Sequence, residues 1–215
     1  MAFEIKMTEK DNKYDTVVVE KVKIPKGTHI GWNTEVIFDD GVQGFATINR
    51  MPTILQSGFT IQNCFETAAG RKLTLPERIG NTQFVIYAYR QIIEGCSTGI
   101  RLPFVDVKDG LEKEFGSFWN FSLEIDNIET VIHRTALSEE GQLNVDQCSE
   151  LFWDELNPFI KDALGKRLKE HSLVEIHAMI NEICQEVLDT FRASGKAQNI
   201  GFDLKSFTLG RILND

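Results

Sequence analysis

The spacing of hydrophobic residues changes once along the chain, near residue 125. Before that point, apolar and polar residues alternate in short runs separated by glycine, proline and aspartate, a pattern typical of β-strands joined by turns. After it, apolar residues recur every three or four positions through two amphipathic helices, and an alternating strand begins at Ile200. We therefore predict an α+β fold, with a curved antiparallel sheet and a helical C-terminal third.

The same pattern predicts the domain organisation. Residues 1–13 are polar and charged, and we predict that they form a flexible arm. Residues 14–215 are predicted to form a single domain, which is β-rich over 14–125 and helical with a final strand over 126–213. Hydrophobic residues make up 42% of the 215 residues, so the material for a sizeable core is present.

Turn residues and alternation locate the strands of the β-rich part. Residues 39–41 (Asp-Asp-Gly) predict a hairpin turn before a strand over 42–48, and Pro103 indicates that its own strand lies at a sheet edge. The clearest strand covers 111–125, with a bulge expected at Gly116. One face of that strand is predicted to lie in the core, and its members are Leu111, Phe115, Trp119, Phe121, Leu123 and Ile125.

Capping residues indicate where the helices begin. Asp126 or Asn127 can cap a short helix that ends near residue 136. Asn144, with Gln147 three residues later, predicts the start of a long helix that runs to residue 168. Pro158 lies inside this helix and is expected to kink it, because its ring removes a backbone hydrogen bond.

The end of the chain has its own signals. Ser172 and Glu175 form a second predicted capping box, at the start of one helix over Leu173–Phe191. In the final strand the apolar alternation slips by one residue after Leu204, which predicts a bulge near residues 205–206.

Charge and cysteine usage narrow the functional classes. The net charge is −9, which argues against nucleic acid as a partner, because nucleic-acid binding needs a basic surface. The four cysteines are dispersed and show no zinc-ribbon spacing, so we predict buried free thiols in a reducing cytoplasm. No run of about 18 apolar residues is present, so no membrane-spanning helix is predicted.

Candidate catalytic and metal-ligating residues do not form a recognisable set. His171 and His177 are six residues apart, which is not a ligand spacing on one helix face, and His29 and His133 are isolated. The acidic turns at 39–41 and 139–141 lack the alternating carboxylates of a calcium loop. We predict no catalytic residues, no cofactor and no metal, and therefore no enzyme activity.

The aromatic residues of the first long helix are the candidate interface. Phe152 and Trp153 are adjacent, so both cannot face the same core, and one of them is a candidate contact residue together with Phe159. The two long helices present more apolar surface than one sheet face can cover, which predicts a homo-oligomer. The alternative is that both helices pack entirely within one chain.

Several segments resemble the SPFH (band 7) superfamily, which contains stomatins, prohibitins and flotillins. Residues 103–106 (Pro-Phe-Val-Asp), a turn over 106–110, and 115–118 (Phe-Gly-Ser-Phe) match segments of a soluble bacterial branch described as virion-core-protein-like. Residues 27–30, 35–38 and 40–41 are similar to the first hairpin of that branch. Asn199-Ile200-Gly201-Phe202 is similar to the entry of its closing strand. The likeness covers most of residues 15–213.

The resemblance implies an SPFH-like domain and a function in assembly. Three features of parts of that family are not expected here, namely an N-terminal membrane anchor, a long coiled coil after the last strand and a cysteine-rich ribbon. The expected function is a cytoplasmic, non-enzymatic, oligomeric scaffold that organises or recruits partners, with peripheral contact at the inner face of a membrane as a further expectation. Its protein partners are not identified by the sequence. The alternative is a structural component of a phage, virus-like particle or injection machine. An enzyme with a site assembled from distant residues is the third and disfavoured interpretation.

Overall fold

A computed structural model describes residues 2–7, 16–22, 24, 30–48, 51–64, 84–135, 137 and 141–213. The chain has the predicted α+β content, with helices and curved antiparallel sheets. Its strands are β1 (Ala2–Ile5), β2 (Val17–Lys21), β3 (Glu35–Phe38), β4 (Val42–Ile48), β5 (Met51–Leu55), β6 (Phe59–Thr60), β7 (Phe84–Arg90), β8 (Ile92–Val105), β9 (Glu112–Ile125), β10 (Gln142–Asn144) and β11 (Phe202–Leu213). Its helices are α1 (Ile128–Thr135), α2 (Val145–Leu168), α3 (Leu173–Ala178), α4 (Ile180–Ala193) and α5 (Lys196–Asn199).

The chain divides into two compact units. The first contains Met1–Gln91 and Thr135–Asn144, and the second contains Ile92–Arg134 and Val145–Asp215. The division does not follow the predicted boundary near residue 125, because the long strands β8 and β9 belong with the helices that pack on them. That residues 14–215 behave as a single domain stays a prediction.

The first unit is built from two small sheets. One has the order β1-β3-β6, and the other has the order β10-β2-β7-β4-β5 with antiparallel pairing throughout. A core of mainly aliphatic side chains includes Ile5, Val17, Trp32, Val36, Phe38, Leu55, Ile61 and Ile86.

Two expectations for this unit differ from the structure. Residues 1–13 were predicted as a flexible arm, but β1 pairs in parallel with β3, and Ile5 and Met7 are buried; residues 8–15 lie outside the described part. The turn at 39–41 is present, with the Val42 N–H donating to the Asp39 carbonyl at 3.1 Å. The predicted hairpin is wrong, however, because β3 pairs with β1 and β6 while β4 pairs with β5 and β7.

The second unit centres on one antiparallel sheet in the order β11-β9-β8. Strand β8 lies at an edge and contains Pro103, as predicted. On β9 the predicted core face is buried except at Leu111, which precedes the strand and is exposed. Trp119 is fully buried, stacks on Phe207 with ring centroids 5.0 Å apart, and donates its indole N–H to the Ser117 hydroxyl at 2.8 Å.

Bulges bend the two outer strands of this sheet. The predicted bulge near 205–206 is confirmed by a register shift between Leu204 and Ser206 in β11. The bulge expected at Gly116 is wrong, because the irregularities opposite β9 lie between Leu209 and Arg211 and between Ile93 and Cys96. Gly95 supplies the positive φ of 82° that the bulge in β8 requires. The central strand therefore stays regular while its neighbours bend.

The two long helices of the second unit pack on one face of its sheet. Helix α2 contacts β8, α4 contacts β11, and the two helices contact each other. Phe152 of α2 lies where these elements meet, with ring centroids 5.7 Å from Phe121, 5.2 Å from Phe191 and 6.2 Å from Phe202. This aromatic cluster joins α2 to β9, α4 and β11.

The helix signals of the sequence are largely confirmed. The Asn127 side chain accepts the Thr130 N–H at 2.9 Å and so caps α1, and Glu175 accepts the Ser172 N–H at 2.8 Å. Helix α2 runs without interruption through Pro158, and the kink there stays a prediction. The single helix predicted over Leu173–Phe191 is wrong, because Met179, with φ −92° and ψ 4°, separates α3 from α4.

Gly201 joins the helical segment to β11 through a close backbone approach. Its φ is 83°, and a Cβ there would lie 2.5 Å from the Asn127 carbonyl oxygen. Its own carbonyl accepts the N–H groups of Asp126 and Asn127 at 3.0 and 3.1 Å. Glycine is required at this position for both reasons.

Truncation of Trp119 tests the core of the second unit. We expect Trp119→Ala to lower the free energy of unfolding by about 3–5 kcal/mol, because the lost side chain is fully buried and leaves a cavity. Urea denaturation measures the change. Phe118→Ala is the control: this neighbour points to the partly exposed face, where Arg211 covers it, and should cost roughly 1 kcal/mol. Equal losses in the two variants would contradict the assigned face of β9.

Candidate contact site at the β8–β9 turn

A network of hydrogen bonds holds the turn between β8 and β9 in one conformation. The Asp106 N–H donates to the Leu111 carbonyl at 2.9 Å, and the Gly110 N–H donates to the Asp106 carbonyl at 2.8 Å. The Asp106 carboxylate accepts the Lys108 N–H at 3.0 Å, and the Asp109 carboxylate accepts the Leu111 N–H at 3.0 Å. Aspartate is suited to such turns, because its short side chain reaches backbone groups two residues ahead.

Lys113, at the start of strand β9, completes this network. Its ammonium group donates to Asp106 at 2.7 Å and to Asp109 at 2.6 Å. These bonds from Lys113, followed by the backbone N–H bonds, lower the pKa of both carboxyl groups. The same two bonds raise the pKa of Lys113. Asp106 is buried, with 3% of its surface exposed. Its negative charge is compensated within the turn by the Lys113 ammonium.

Three aliphatic side chains extend from this turn into solvent. Val105, Val107 and Leu111 are 54%, 50% and 61% exposed, and we call them the apolar tip. Single exposed apolar residues are normal on protein surfaces, but three within seven residues form a local patch. The patch is carried by a turn whose backbone is held in place by the aspartate–lysine network.

A cavity of about 540 Å³ lies beside the tip, between the end of β8 and the C-terminal end of α2. Leu102, Phe104 and Val105 line it from the strand, and Gly165 and Leu168 line it from the helix, with Lys169 next to them. Its size is within the range of small-molecule sites, roughly 300–1,000 Å³. The walls are mainly apolar, and among the described residues that line the cavity none has a hydroxyl or amide side chain.

Gly165 forms part of the wall of this cavity. It lies inside α2, and a Cβ built on it would meet no other atom of the described residues within 4 Å. Neither a positive φ nor a close packing contact requires glycine there. A side chain at this position would therefore extend into free space beside the cavity.

The residues predicted as an interface fall in different environments. Phe152 is fully buried in the aromatic cluster, so a contact role for it is wrong: a partner could reach it only by opening the core. Trp153 and Phe159 are partly exposed. Phe159 packs edge-on against Phe191 at 5.2 Å, and the Lys196 ammonium lies 5.5 Å from its ring centroid. A contact role for Trp153 and Phe159 stays a prediction.

Sequence reasoning missed the apolar tip, although its signal is visible. Val107 and Leu111 lie among Asp106, Lys108 and Asp109, in a stretch that reads as a turn. Leu111 was assigned to the buried face of β9 because it continues that alternation. Apolar residues in a turn are a signal for a contact surface, because turns are normally polar.

The structure also shows the environments of the cysteines and of several histidines. All four cysteines are free and buried, as predicted. Burial raises the pKa of the Cys96 thiol to about 11 and raises that of Cys148 as well. His133 and His177 are exposed, and His29 lies outside the described residues. Within the described ranges, no three His, Cys, Asp or Glu residues are grouped so that they could hold a metal ion.

Comparison with protein-family models and with curated proteins finds no match to this chain. The resemblance to the SPFH superfamily therefore stays a prediction. In the part of the chain that the structure describes, no helix has both the length and the hydrophobicity needed to cross a membrane.

The turn network predicts a pH dependence of stability. Because the pKa values of Asp106 and Asp109 are lower in the folded chain than the ordinary 3.8, their contribution is present above that value. It is lost as the pH falls through the lower folded-state values. We expect Asp106→Asn to reduce the loss of stability on acidification below 3.8, as measured by urea denaturation across pH. Asp40→Asn, in another turn, is the control, and an identical effect of both changes would contradict the prediction.

Replacement of Gly165 tests whether the cavity wall is open. We expect Gly165→Ala to raise the free energy of unfolding by roughly 0.5–1 kcal/mol, because alanine is the better helix former and its methyl group meets no neighbour. Urea denaturation measures the change. A destabilised variant would show that a Cβ clashes at this position and that the cavity is closed.

Proposed function

We propose that this protein is a non-enzymatic scaffold that holds copies of itself and partner proteins through apolar contact surfaces. The observation that supports this most is the apolar tip, where three aliphatic side chains, each at least half exposed, lie within seven residues. Burying such side chains against a partner is favourable, at about 25 cal/mol per Å² of apolar surface.

The construction of the turn supports a contact role. A flexible loop loses conformational entropy when it binds, whereas a turn already held by several hydrogen bonds loses little. Asp106, Asp109 and Lys113 form such bonds directly beneath the tip. The network satisfies its own charges, so Val107 and Leu111 can be buried without stripping water from an unpaired carboxylate.

The partly exposed aromatic residues of α2 are a second proposed surface. Trp153 follows the buried Phe152 on α2 and is partly exposed, and Phe159 lies two turns beyond Phe152, where it packs on Phe191 and stays partly exposed. Tryptophan is enriched at protein interfaces because it buries a large area with few rotatable bonds. We place self-association of the chain at this surface and at the apolar tip.

The proposed location is the cytoplasm, with peripheral contact at a membrane surface. Four free buried thiols are the usual state of cysteine in a reducing compartment. Beside the apolar tip, exposed Lys108 follows Val107, and this arrangement of apolar and basic side chains suits a lipid–water boundary. Flotation with vesicles that contain anionic lipid tests this part: the chain should float, and Val107→Glu should stay at the bottom of the gradient. If the chain does not float, the proposed membrane contact is contradicted.

Sedimentation of the purified chain tests self-association. We expect a species several times heavier than the 24.4 kDa monomer at tens of micromolar protein. Trp153→Glu and Val107→Glu should each shift it toward the monomer, because a charge placed in an apolar contact loses its hydration. The circular dichroism spectrum should not change.

The matched control is Val174→Glu. Val174 is an isolated apolar residue, 73% exposed, and lies outside both proposed surfaces. The Val174→Glu substitution adds the same charge but lies outside the proposed contacts, so the sedimenting species should be unchanged. A 24.4 kDa monomer for the unmodified chain would contradict the proposal.

A further inference from the structure

The cavity beside the apolar tip has the features of a ligand site rather than of a packing defect. Its volume of about 540 Å³ is within the range of small-molecule sites, roughly 300–1,000 Å³. Gly165 lines it from inside a helix, and a Cβ built there would meet no atom of the described residues within 4 Å. A helix-interior glycine costs about 1 kcal/mol relative to alanine, and no backbone or packing constraint accounts for it here.

The walls indicate the apolar part of the ligand. Leu102 and Phe104 lie on the strand side and Leu168 on the helix side. Asp106, an acidic residue of the lining, already accepts hydrogen bonds from Lys113 and from the Lys108 N–H. Among the described side chains of the lining, the Lys169 ammonium is therefore the unmatched hydrogen-bonding group, and the rest of the wall suits a hydrocarbon chain rather than a sugar or a nucleobase.

The charges indicate the polar end of the ligand. Asp106 and Lys169 are the ionisable residues of the lining. The carboxylate of Asp106 is neutralised by the Lys113 ammonium at 2.7 Å, whereas Lys169 forms no ion pair within the described ranges. The cavity therefore has one uncompensated positive charge, in a protein whose net charge is −9. That charge favours an anionic group at the α2 end of the cavity.

We propose that this cavity binds an aliphatic chain that ends in a carboxylate, that is, a medium-chain fatty acid. The hydrocarbon lies against Leu102, Phe104 and Leu168, and the carboxylate meets the Lys169 ammonium. This inference goes beyond the scaffold function, since it requires neither self-association nor a protein partner.

Calorimetric titration of the full chain with hexanoate, octanoate and decanoate tests the apolar part. Affinity should rise by about fourfold for each methylene buried, which corresponds to roughly 0.8 kcal/mol per methylene. Decanol and decylamine have the same chain length and test the charge. Decanoate should bind more tightly than decanol, and decylamine should bind most weakly. Equal binding of all three, or no binding of decanoate, would overturn the proposal.

Substitutions in the cavity wall test whether the ligand binds in this cavity. Gly165→Leu should lower decanoate affinity at least tenfold, because its larger side chain takes space at the cavity wall, while Gly165→Ala should have a smaller effect. Lys169→Gln should lower affinity by roughly 1.5- to 5-fold, the range for an exposed ion pair of about 0.2–1 kcal/mol. Lys161→Gln is the control, because Lys161 is exposed on the same helix but does not line the cavity.

Folding and assembly are measured in the same samples. Circular dichroism should show that Gly165→Leu is folded, and an unfolded variant would shift the test to Gly165→Ala together with Lys169→Gln. Unchanged decanoate binding in Gly165→Leu, if that variant is folded, would place the ligand elsewhere and overturn the proposal. Sedimentation of each sample separates the two proposals, because a monomeric chain that binds decanoate refutes self-association alone.

Discussion

The contacts of the Phe152 ring position the helices of the second unit on its sheet. The ring meets Phe121, Phe191 and Phe202, so a single side chain of α2 joins the central strand, the last strand and the second long helix. Aromatic rings at such distances contribute about 0.5–1.5 kcal/mol per pair beyond their buried area. Helix α2 thus has one well-defined position over β8.

That position determines the geometry of the candidate site. Gly165 is thirteen residues beyond Phe152, roughly 20 Å along a helix with a rise of 1.5 Å per residue. At that distance the helix end lies beside the last residues of β8, and Gly165 lines the cavity together with them. The turn network of Asp106, Asp109 and Lys113 then fixes the far end of the strand pair, where the apolar tip begins. The site therefore depends on two independent anchors, an aromatic core and a charged turn.

Sequence patterns predicted the features that arise from local chemistry. The caps at Asn127 and Ser172, the buried face around Trp119 and the bulge after Leu204 follow from spacing within a few residues, and the structure contains each of them. The features that depend on distant partners were not predictable in this way. Whether β3 pairs with β4 is decided by β6 and β7, and the bulges beside β9 lie on its neighbours.

The candidate site illustrates the same limit. Phe152 and Trp153 were both candidate contact residues in the sequence, and the rings of Phe121 and Phe191 show that Phe152 belongs to the core. The cavity is lined both by Gly165 and by residues about sixty positions earlier in the chain, so no local sequence pattern could reveal it. A glycine in an otherwise regular helix was its one visible sign.

The central claim is that copies of this chain meet through the apolar tip, and site-specific cross-linking tests it most directly. The four native cysteines are buried, so a new thiol at the tip reacts selectively with a short thiol-specific cross-linker. Val107→Cys should give covalent dimers at low protein concentration, whereas Glu182→Cys, on the exposed side of α4, should remain monomeric. Equal cross-linking of the two variants, or none in Val107→Cys, would contradict the account.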